Sequence, residues 1–168
     1  GDNYAATWGR KSRDVLERFG EEAFGVTVSK RTSAANDWEL DGHAGGMMTA
    51  GVGGGITGRG ANALVGDDLV KDAKEAASEV TQESNWDWWR STAYSRLEVD
   101  DQGLEPIVLL INTRCHESDV SGRILNDEEG LDDGETWYII NLPALAEEDD
   151  PLGREPGEPL WPERRSLN

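Results

Sequence analysis

The sequence PIVLLIN at residues 106–112 decides the fold expected for this chain. It is an almost continuous apolar run of strand length, which is typical of a strand buried on both faces of a parallel sheet. A second apolar run, at residues 63–65, ends in Gly66, Asp67 and Asp68. Helix-compatible segments separate the two runs, so the pattern predicts an α/β fold with a mainly parallel sheet flanked by helices.

The remaining elements are predicted from the spacing of apolar residues and from turn-forming residues. They are a helix over 3–19 stopped by Gly20, short strands or hairpins within 26–52, helices over 71–80 and 85–97, a helix opened by Glu117 or Ser118, and a strand over 137–142 (WYIINL). Residues 51–62 hold six glycines in twelve positions and predict a loop. From residue 147 onward the chain has four of its six prolines and no periodicity, which predicts a linker or extended tail.

The chain is strongly acidic. It has 34 Asp and Glu against 16 Lys and Arg, for a net charge of −18. The negative electrostatic field around a chain of this charge repels phosphate backbones, so we expect this chain by itself to bind DNA poorly. The same acidity is also compatible with a high-salt habitat, and the sequence does not choose between these explanations.

The ends of the sequence and its hydropathy give expectations about location. No apolar run approaches the length of a membrane span, and the N-terminus lacks a signal peptide. We therefore expect a soluble, intracellular protein. The sequence begins with Gly1 rather than Met, which indicates a fragment of a longer protein or removal of the first residues by processing.

The adjacent acids Asp67 and Asp68 are the first candidate site. Two acids after an apolar strand match the acidic box of P-loop ATPases, where one carboxylate holds Mg²⁺ and its neighbour orients the attacking water. Side chains of successive strand residues point to opposite sides, so the two acids can serve two roles. The alternative is a solvated Asp-Asp turn.

Arg59, between two glycines, is the second candidate. It precedes Asp67 by eight positions, which is about 26 Å in an extended chain, too far to serve the same nucleotide. It is within reach of a nucleotide on a neighbouring subunit, the role of an arginine finger. The alternative, which the spacing alone favours, is a structural arginine that caps a loop.

Thr113 and Arg114 follow the strand at 106–112. A parallel neighbour of the Asp67 strand would end beside them, so they are candidates for sensing the γ-phosphate or for coupling hydrolysis to movement. A structural arginine at a strand end is the alternative. His43, Cys115 and His116 lack the spacing of a zinc site, so we do not expect metal coordination by them.

The sequence contains no G-x-x-x-x-G-K-[ST] motif, although its glycine-rich loop superficially resembles one. The segment GGGITGRG at residues 53–60 has no Lys-Ser or Lys-Thr pair. A P-loop precedes its acidic strand by a long interval, so we expect that motif upstream of Gly1.

Taken in order, four stretches resemble the later half of the ATPase domain of large terminase subunits from tailed phages and prophages. They are GHAGGMMTAGVGGGITGRGANALVGDDLVKD, NWDWWRSTAYSRL, IVLLINTRCHESDVSGRIL and WYIINLPALAEEDDPLGREPGEPLWPER. The resemblance covers nearly the whole chain. It implies a P-loop NTPase-like fold of the ASCE or RecA type, incomplete here, in which residues 1–145 belong to the ATPase domain without its Walker A motif. Residues 146–168 would be a Pro-rich acidic linker toward an RNase H-like nuclease domain that this sequence does not contain.

The resemblance also implies residue roles. Asp67 would be the Walker B acid that holds Mg²⁺ through water, Asp68 the water-orienting carboxylate, and Arg59 the arginine finger acting in trans. Asn112, Thr113 and Arg114 would form the motif that couples ATP state to domain motion. Terminases often have glutamate at the position of Asp68, and without the P-loop and the nuclease domain the fragment alone would be inactive.

The intact parent would then use ATP and Mg²⁺ to pump double-stranded DNA into procapsids in the cytoplasm of an infected or lysogenic host. Its partners would be the small terminase subunit, the portal protein and other copies of itself in a ring, with no membrane. Two alternatives stay open. One is an inactive prophage remnant, and the other is an acidic interaction module, such as a protein whose carboxylates mimic DNA phosphates.

Overall fold

The computed structural model describes residues 2–56, 58–126 and 137–164. The chain divides into two units, Gly1–Glu128 and Glu129–Asn168, and each is described by itself. The predicted boundary after residue 145, between an ATPase segment and a linker, stays a prediction. Among the described residues, no helix combines the length and the apolar character needed to cross a bilayer.

The first unit is a mixed α/β structure with two small sheets. Its elements are α1 (Asp2–Phe24), β1 (Val28–Ser33), β2 (Asp37–Leu40), β3 (Gly46–Met48), β4 (Ala63–Asp67), α2 (Ala73–Ala76), α3 (Glu79–Trp88), a π-helical turn (Trp89–Ala93), a 3₁₀ turn (Tyr94–Arg96), β5 (Ile107–Ile111) and α4 (Val120–Asn126). Strands β1, β2 and β3 form an antiparallel sheet in that order, which confirms the hairpins predicted within residues 26–52. Among the described strands only β4 and β5 pair in parallel, and one isolated parallel bridge joins Ala61 to Leu97, so the prediction of a mainly parallel sheet was wrong in extent.

Helix α1 runs through Gly20, where the sequence predicted a stop, and ends instead at Phe24, immediately before Gly25. Gly25 adopts φ +68°, a left-handed conformation that glycine accepts without strain, and its N–H donates to Glu21 O at 3.0 Å. Gly20 lies within the helix, where a larger residue would not fit. A Cβ there would lie 2.8 Å from Val26 O, so the glycine permits a close approach of the two backbones.

Trp38 on β2 anchors the antiparallel sheet to α1. Its side chain is 4% exposed, and its indole Nε1–H donates to Gly9 O at 3.0 Å. Burying a tryptophan contributes a large apolar area, and the hydrogen bond satisfies its polar atom. This contact fixes the sheet against the first half of the helix.

The helix predicted over residues 71–80 is two helices in the structure. Asp72 caps α2 by accepting from Glu75 N at 2.9 Å, and Ser78 caps α3 by accepting from Thr81 N at 3.3 Å. Ser78 is extended, with ψ 111°, which breaks the helical path between them. The helix predicted over residues 85–97 therefore begins earlier, at Glu79.

Strand β5 was predicted to be buried on both faces, and this is wrong for the described chain. The pairs Ala63 with Ile107 and Val65 with Leu109 lie on one face, where Val65 is 58% exposed and Ile107 is 68% exposed. The other face carries Leu64, Val108, Gly66 and Leu110, which are half-buried or buried. Within this chain, the apolar run at residues 106–112 thus contributes only one of its two faces to the core.

The described part of the second unit contains turns and no regular strand. The strand predicted over WYIINL is wrong, since Tyr138 is 92% exposed and Ile140 is 74% exposed, and no backbone ladder forms there. Further on, the predicted extended tail folds back on itself. Leu145 and Pro159 form an antiparallel bridge, and Ala146 N donates to Glu158 O at 2.8 Å.

Arg154 holds this fold-back together. Its guanidinium donates twice to Asp150, from Nε at 3.0 Å and from Nη2 at 2.5 Å, and also to the carbonyls of Pro143 and Glu158. The Asp150 side chain is fully buried and that of Arg154 is 11% exposed. A buried bidentate pair of this kind joins two parts of this short segment through strong, directional hydrogen bonds.

Candidate functional site

The carboxyl ends of β4 and β5 lie side by side, as the sequence predicted for parallel neighbours. Asp67 is paired with Ile111 at the last position of the ladder, and Asp68 N donates to Ile111 O at 2.9 Å just beyond it. Asn112, Thr113 and Arg114 follow directly. The structure therefore brings the predicted acid pair and the predicted coupling segment to the same edge of the sheet.

Asp68 joins the two strand ends through its side chain. Its Oδ1 accepts a hydrogen bond from Thr113 N at 3.0 Å, and its backbone has φ +42°. A positive φ is uncommon for a residue with a Cβ, although aspartate tolerates it better than most. This conformation turns the chain at the end of β4 and directs the carboxylate toward β5.

Asp67 is exposed, and its side chain makes no hydrogen bond within the described residues. Its carboxylate oxygens are therefore available to water or to a hydrated cation. No cluster of three or more Asp, Glu, His and Cys side chains able to hold a metal occurs in the described ranges. Mg²⁺ does not require such a cluster, because it keeps several waters and commonly binds one or two carboxylates together with substrate phosphates.

The coupling segment is connected to α4 by two side-chain contacts. Asn112 Nδ2 donates to Ser121 Oγ in a short hydrogen bond, and Arg114 Nε donates to Asp119 Oδ2 at 2.9 Å. Asp119 is 9% exposed, and its other oxygen accepts from Gly122 N at 2.8 Å. These contacts join the end of β5 to the start of α4.

Asp119 is the functional candidate that sequence reasoning missed. The helix was predicted to open at Glu117 or Ser118, but the side chain that caps it is Asp119, immediately before Val120. Aspartate directly before an apolar helical pattern is a standard N-cap signal and would have identified it. Its second role, the ion pair with Arg114, has no local signal.

A narrow cleft lies between this sheet edge and the helices. Its lining includes Leu69, Gln82, Asn85, Asn112, Thr113 and Asp119, and its volume is about 10 Å³. That volume corresponds to about one water molecule. The cleft as it stands has no room for a larger ligand.

Arg59 is located elsewhere in the first unit. Its Nη1 and Nη2 donate to the two carboxylate oxygens of Asp37 at 2.9 and 2.7 Å, which ties the glycine-rich loop to β2. A wider cleft of about 470 Å³ lies beside this pair. The Arg59 side chain is 48% exposed, so it has a structural partner and remains partly open to solvent.

His116 and Cys115 lie next to the coupling segment without forming a metal site in the described residues. His116 Nδ1 accepts from Ser118 N at 3.0 Å and lies 3.2 Å from Gln82 Nε2, whereas Cys115 is exposed. A nitrogen that accepts a hydrogen bond carries no proton itself. The hydrogen bond from Ser118 N to His116 Nδ1 fixes the turn between β5 and α4.

The sheet edge thus combines a free carboxylate, a second carboxylate bonded to the neighbouring strand, and a polar segment linked to a helix. Comparison with protein-family models, curated proteins and solved structures gives no match to this chain.

Proposed function

We propose that this chain is the later half of the ATPase domain of a phage or prophage large terminase subunit, with a P-loop NTPase-like fold. The observation that carries the proposal is the hydrogen bond from Thr113 N to Asp68 Oδ1, at 3.0 Å, between two parallel strands. It joins the acid pair and the coupling segment, the two groups whose order in the sequence resembles terminases. A solvated Asp-Asp turn would not need this contact.

The proposed chemistry begins at Asp67. Mg²⁺, when bound with ATP, would neutralise charge on the phosphate oxygens. The free Asp67 carboxylate suits that ion as a ligand through water. Oδ2 of Asp68 has no partner among the described residues and is the atom that would orient the attacking water.

Coupling runs from Asp68 to α4. Loss or movement of the γ-phosphate would change the hydration of the acid pair and so the strength of the Asp68–Thr113 hydrogen bond. Asn112 and Arg114 would transmit that change through Ser121 and Asp119, the residues they contact on α4 and its cap. Each of these is a positioning role, because none of the four side chains would touch the reacting atoms.

The complete protein would supply what these 168 residues lack, namely a P-loop upstream and an RNase H-like nuclease beyond the segment 146–168. It would translocate double-stranded DNA into a procapsid, in a ring of its own copies, with the small terminase subunit and the portal protein, in the host cytoplasm. The net charge of −18 favours a DNA contact made by other parts of that protein.

The test is DNA-stimulated ATP hydrolysis by the protein from the complete reading frame. We expect Asp67→Ala to lower kcat by about 10²-fold or more, because it removes the carboxylate that holds the Mg²⁺ hydration shell. Asp101→Ala, an exposed acid on a turn, is the matched control and should leave kcat unchanged. Wild-type activity in Asp67→Ala would exclude the motor proposal.

A second candidate is an interaction module without catalysis, either a prophage remnant or an acidic DNA mimic. The observation in its favour is the cleft of about 10 Å³, which is too small for a nucleotide as it stands. This candidate predicts no P-loop upstream and no ATP hydrolysis by the complete protein. Mimicry further predicts carboxylates spread over an extended face and competition with DNA for a basic protein.

A further inference from the structure

Two hydrogen-bond donors converge on one ring nitrogen of His116. Ser118 N donates to His116 Nδ1 at 3.0 Å, and Gln82 Nε2 lies 3.2 Å from the same atom. The orientation of the Gln82 amide is fixed by a second contact, because its Nε2 donates to Ala76 O at 2.6 Å and an amide oxygen could not. Nδ1 therefore accepts from both groups, and the ring proton of neutral His116 is on Nε2.

His116 connects the turn between β5 and α4 to helix α3. Gln82 belongs to α3 and is only 7% exposed, so the contact lies inside the unit. The carbonyl of His116 accepts from Asp119 N at 3.2 Å, and Asp119 Oδ1 accepts from Gly122 N at the start of α4. The ring and the backbone of His116 thus hold α3 and the start of α4 to the same turn.

Charged residues surround His116 on its own turn and on the neighbouring helices. They are Arg114, Glu117 and Asp119 on the turn, Arg123 on α4, Glu79, Glu83 and Asp87 on α3, and Lys74 and Glu75 on α2. The two arginines are paired with acids, Arg114 with Asp119 and Arg123 with Glu83. Within the described chain, none of these charged side chains forms a hydrogen bond or ion pair with the ring, so the direct partners of Nδ1 are the two N–H donors.

We propose that His116, Gln82 and Ser118 form a pH-sensitive latch, which is closed while Nδ1 is unprotonated and opens when Nδ1 gains a proton. A proton added there would meet two N–H groups that cannot accept it, so both hydrogen bonds are lost and the ring leaves its position. Stability from these bonds is thus present at high pH and is lost on acidification. Opening releases Gln82, and with it α3, from the turn. This inference does not depend on the proposed ATPase function.

The first measurement identifies the protonated ring nitrogen by nitrogen NMR of the full chain at about pH 8, above the range in which imidazole groups ordinarily gain a proton. We expect the proton of His116 on Nε2 alone. His43 is exposed and serves as the internal reference for a histidine outside the latch. A proton on Nδ1 of neutral His116 would overturn the proposal.

The second measurement follows opening of the latch by amide hydrogen exchange as the pH is lowered from about 8 to about 5. Exchange is expressed as a protection factor, which removes the intrinsic pH dependence of the exchange rate. We expect the protection of Ser118 N–H to fall at least about tenfold, in step with protonation of the His116 ring. Thr49 N–H, which donates to Asn36 O in the antiparallel sheet, should keep its protection.

An asparagine at position 116 separates this titration from other acid effects. His116→Asn cannot be protonated in this range, but its side chain can still accept from the backbone N–H two residues on. Ser118 N–H should therefore be as protected at pH 5 as at pH 8 in this variant. His43→Asn is the matched control and should keep the acid-induced loss of protection.

Two further outcomes would overturn the proposal. One is a Ser118 protection factor that stays constant while the His116 ring is protonated. The other is an acid-induced loss that persists in His116→Asn, which would assign the loss to the carboxylates around the turn. If His116→Asn does not fold, the two measurements on the wild-type chain still decide, because they compare ring protonation and amide exchange in the same molecule.

Discussion

At the residue scale, single side chains determine the structure where regular elements are absent. Arg154 makes four hydrogen bonds to side-chain and carbonyl oxygens, and it converts a proline-rich segment into a fold-back. Asp68 has the same role between two strands, where one carboxylate oxygen joins the ends of β4 and β5. In both cases the fold brings the partner to the acid: the Arg154 guanidinium to Asp150, and the Thr113 backbone N–H to Asp68.

The Asp150–Arg154 pair predicts acid sensitivity. Hydrogen bonds donated by Arg154 hold the pKa of Asp150 below its ordinary value, while burial acts in the opposite direction. A carboxyl whose pKa is lowered by folding contributes stability above its unfolded pKa of about 3.9, and this is lost as the pH falls through the lowered value. The fold-back should therefore persist from neutral pH down to about pH 4 and open below it.

This titration is measured by NMR of the Arg154 Nε–H group. Asp150→Asn should lose the folded Nε–H shift already at neutral pH, whereas Asp149→Asn, at the exposed neighbouring position, should retain it. Opening of the fold-back with a midpoint well above pH 4 would contradict the assignment to Asp150.

At the element scale, most of the predicted helices and strands form, but their ends and partners follow from packing. Helix α1 continues past Gly20 to Phe24, where Gly25 with φ +68° follows it. The WYIINL segment has strand composition but forms no ladder in the described structure, because a strand requires a partner for its backbone groups.

Gly9→Ala tests whether packing outweighs helix propensity in α1. Alanine in a helix interior is favoured over glycine by about 1 kcal/mol. Here the added Cβ would meet Ala35 O at 2.3 Å, and crowding of this kind costs about 1–3 kcal/mol. We expect a net loss of unfolding free energy in urea denaturation, while the exposed Lys11→Ala should stay within about 0.5 kcal/mol of wild type. A more stable Gly9→Ala would contradict this packing.

At the scale of the whole molecule, the parallel sheet is small and open. Val65, Ile107, Leu109 and Ile111 are all at least 49% exposed on one face of β4 and β5. Apolar residues of this kind are usually covered, so the open face is compatible with a piece of a larger sheet. In the proposed terminase assembly, several copies of the protein would form a ring, and Arg59 would act across the interface between neighbouring subunits.

The proposed role of Arg59 between subunits can be tested by substitution in the complete protein. If it serves as an arginine finger in the complete protein, Arg59→Ala should reduce kcat for ATP hydrolysis by about 10³-fold or more. Asp37→Ala removes only the ion-pair partner, and an exposed pair of this kind contributes at most about 1 kcal/mol. It should therefore keep kcat within a few-fold of wild type. Equal effects of the two variants, or retained hydrolysis in Arg59→Ala, would assign Arg59 to loop structure alone.

The sequence by itself determined the mixed α/β class, the hairpins within residues 26–52, the glycine-rich loop, and the position of Asp67 and Asp68 at the end of a strand parallel to PIVLLIN. These features depend on local composition and periodicity, which can be read directly from the sequence. It also placed Asn112, Thr113 and Arg114 beside the acid pair, because the carboxyl ends of neighbouring parallel strands meet at one edge.

Only the tertiary structure decided which of these residues have partners. Arg59 pairs with Asp37 across 22 positions, and Asp68 bonds to Thr113 across 45. Helix α1 turned Gly9 and Gly20 inward and left its aromatic residues in solvent. Such contacts depend on distances between segments far apart in the sequence, and local spacing carries no information about those distances.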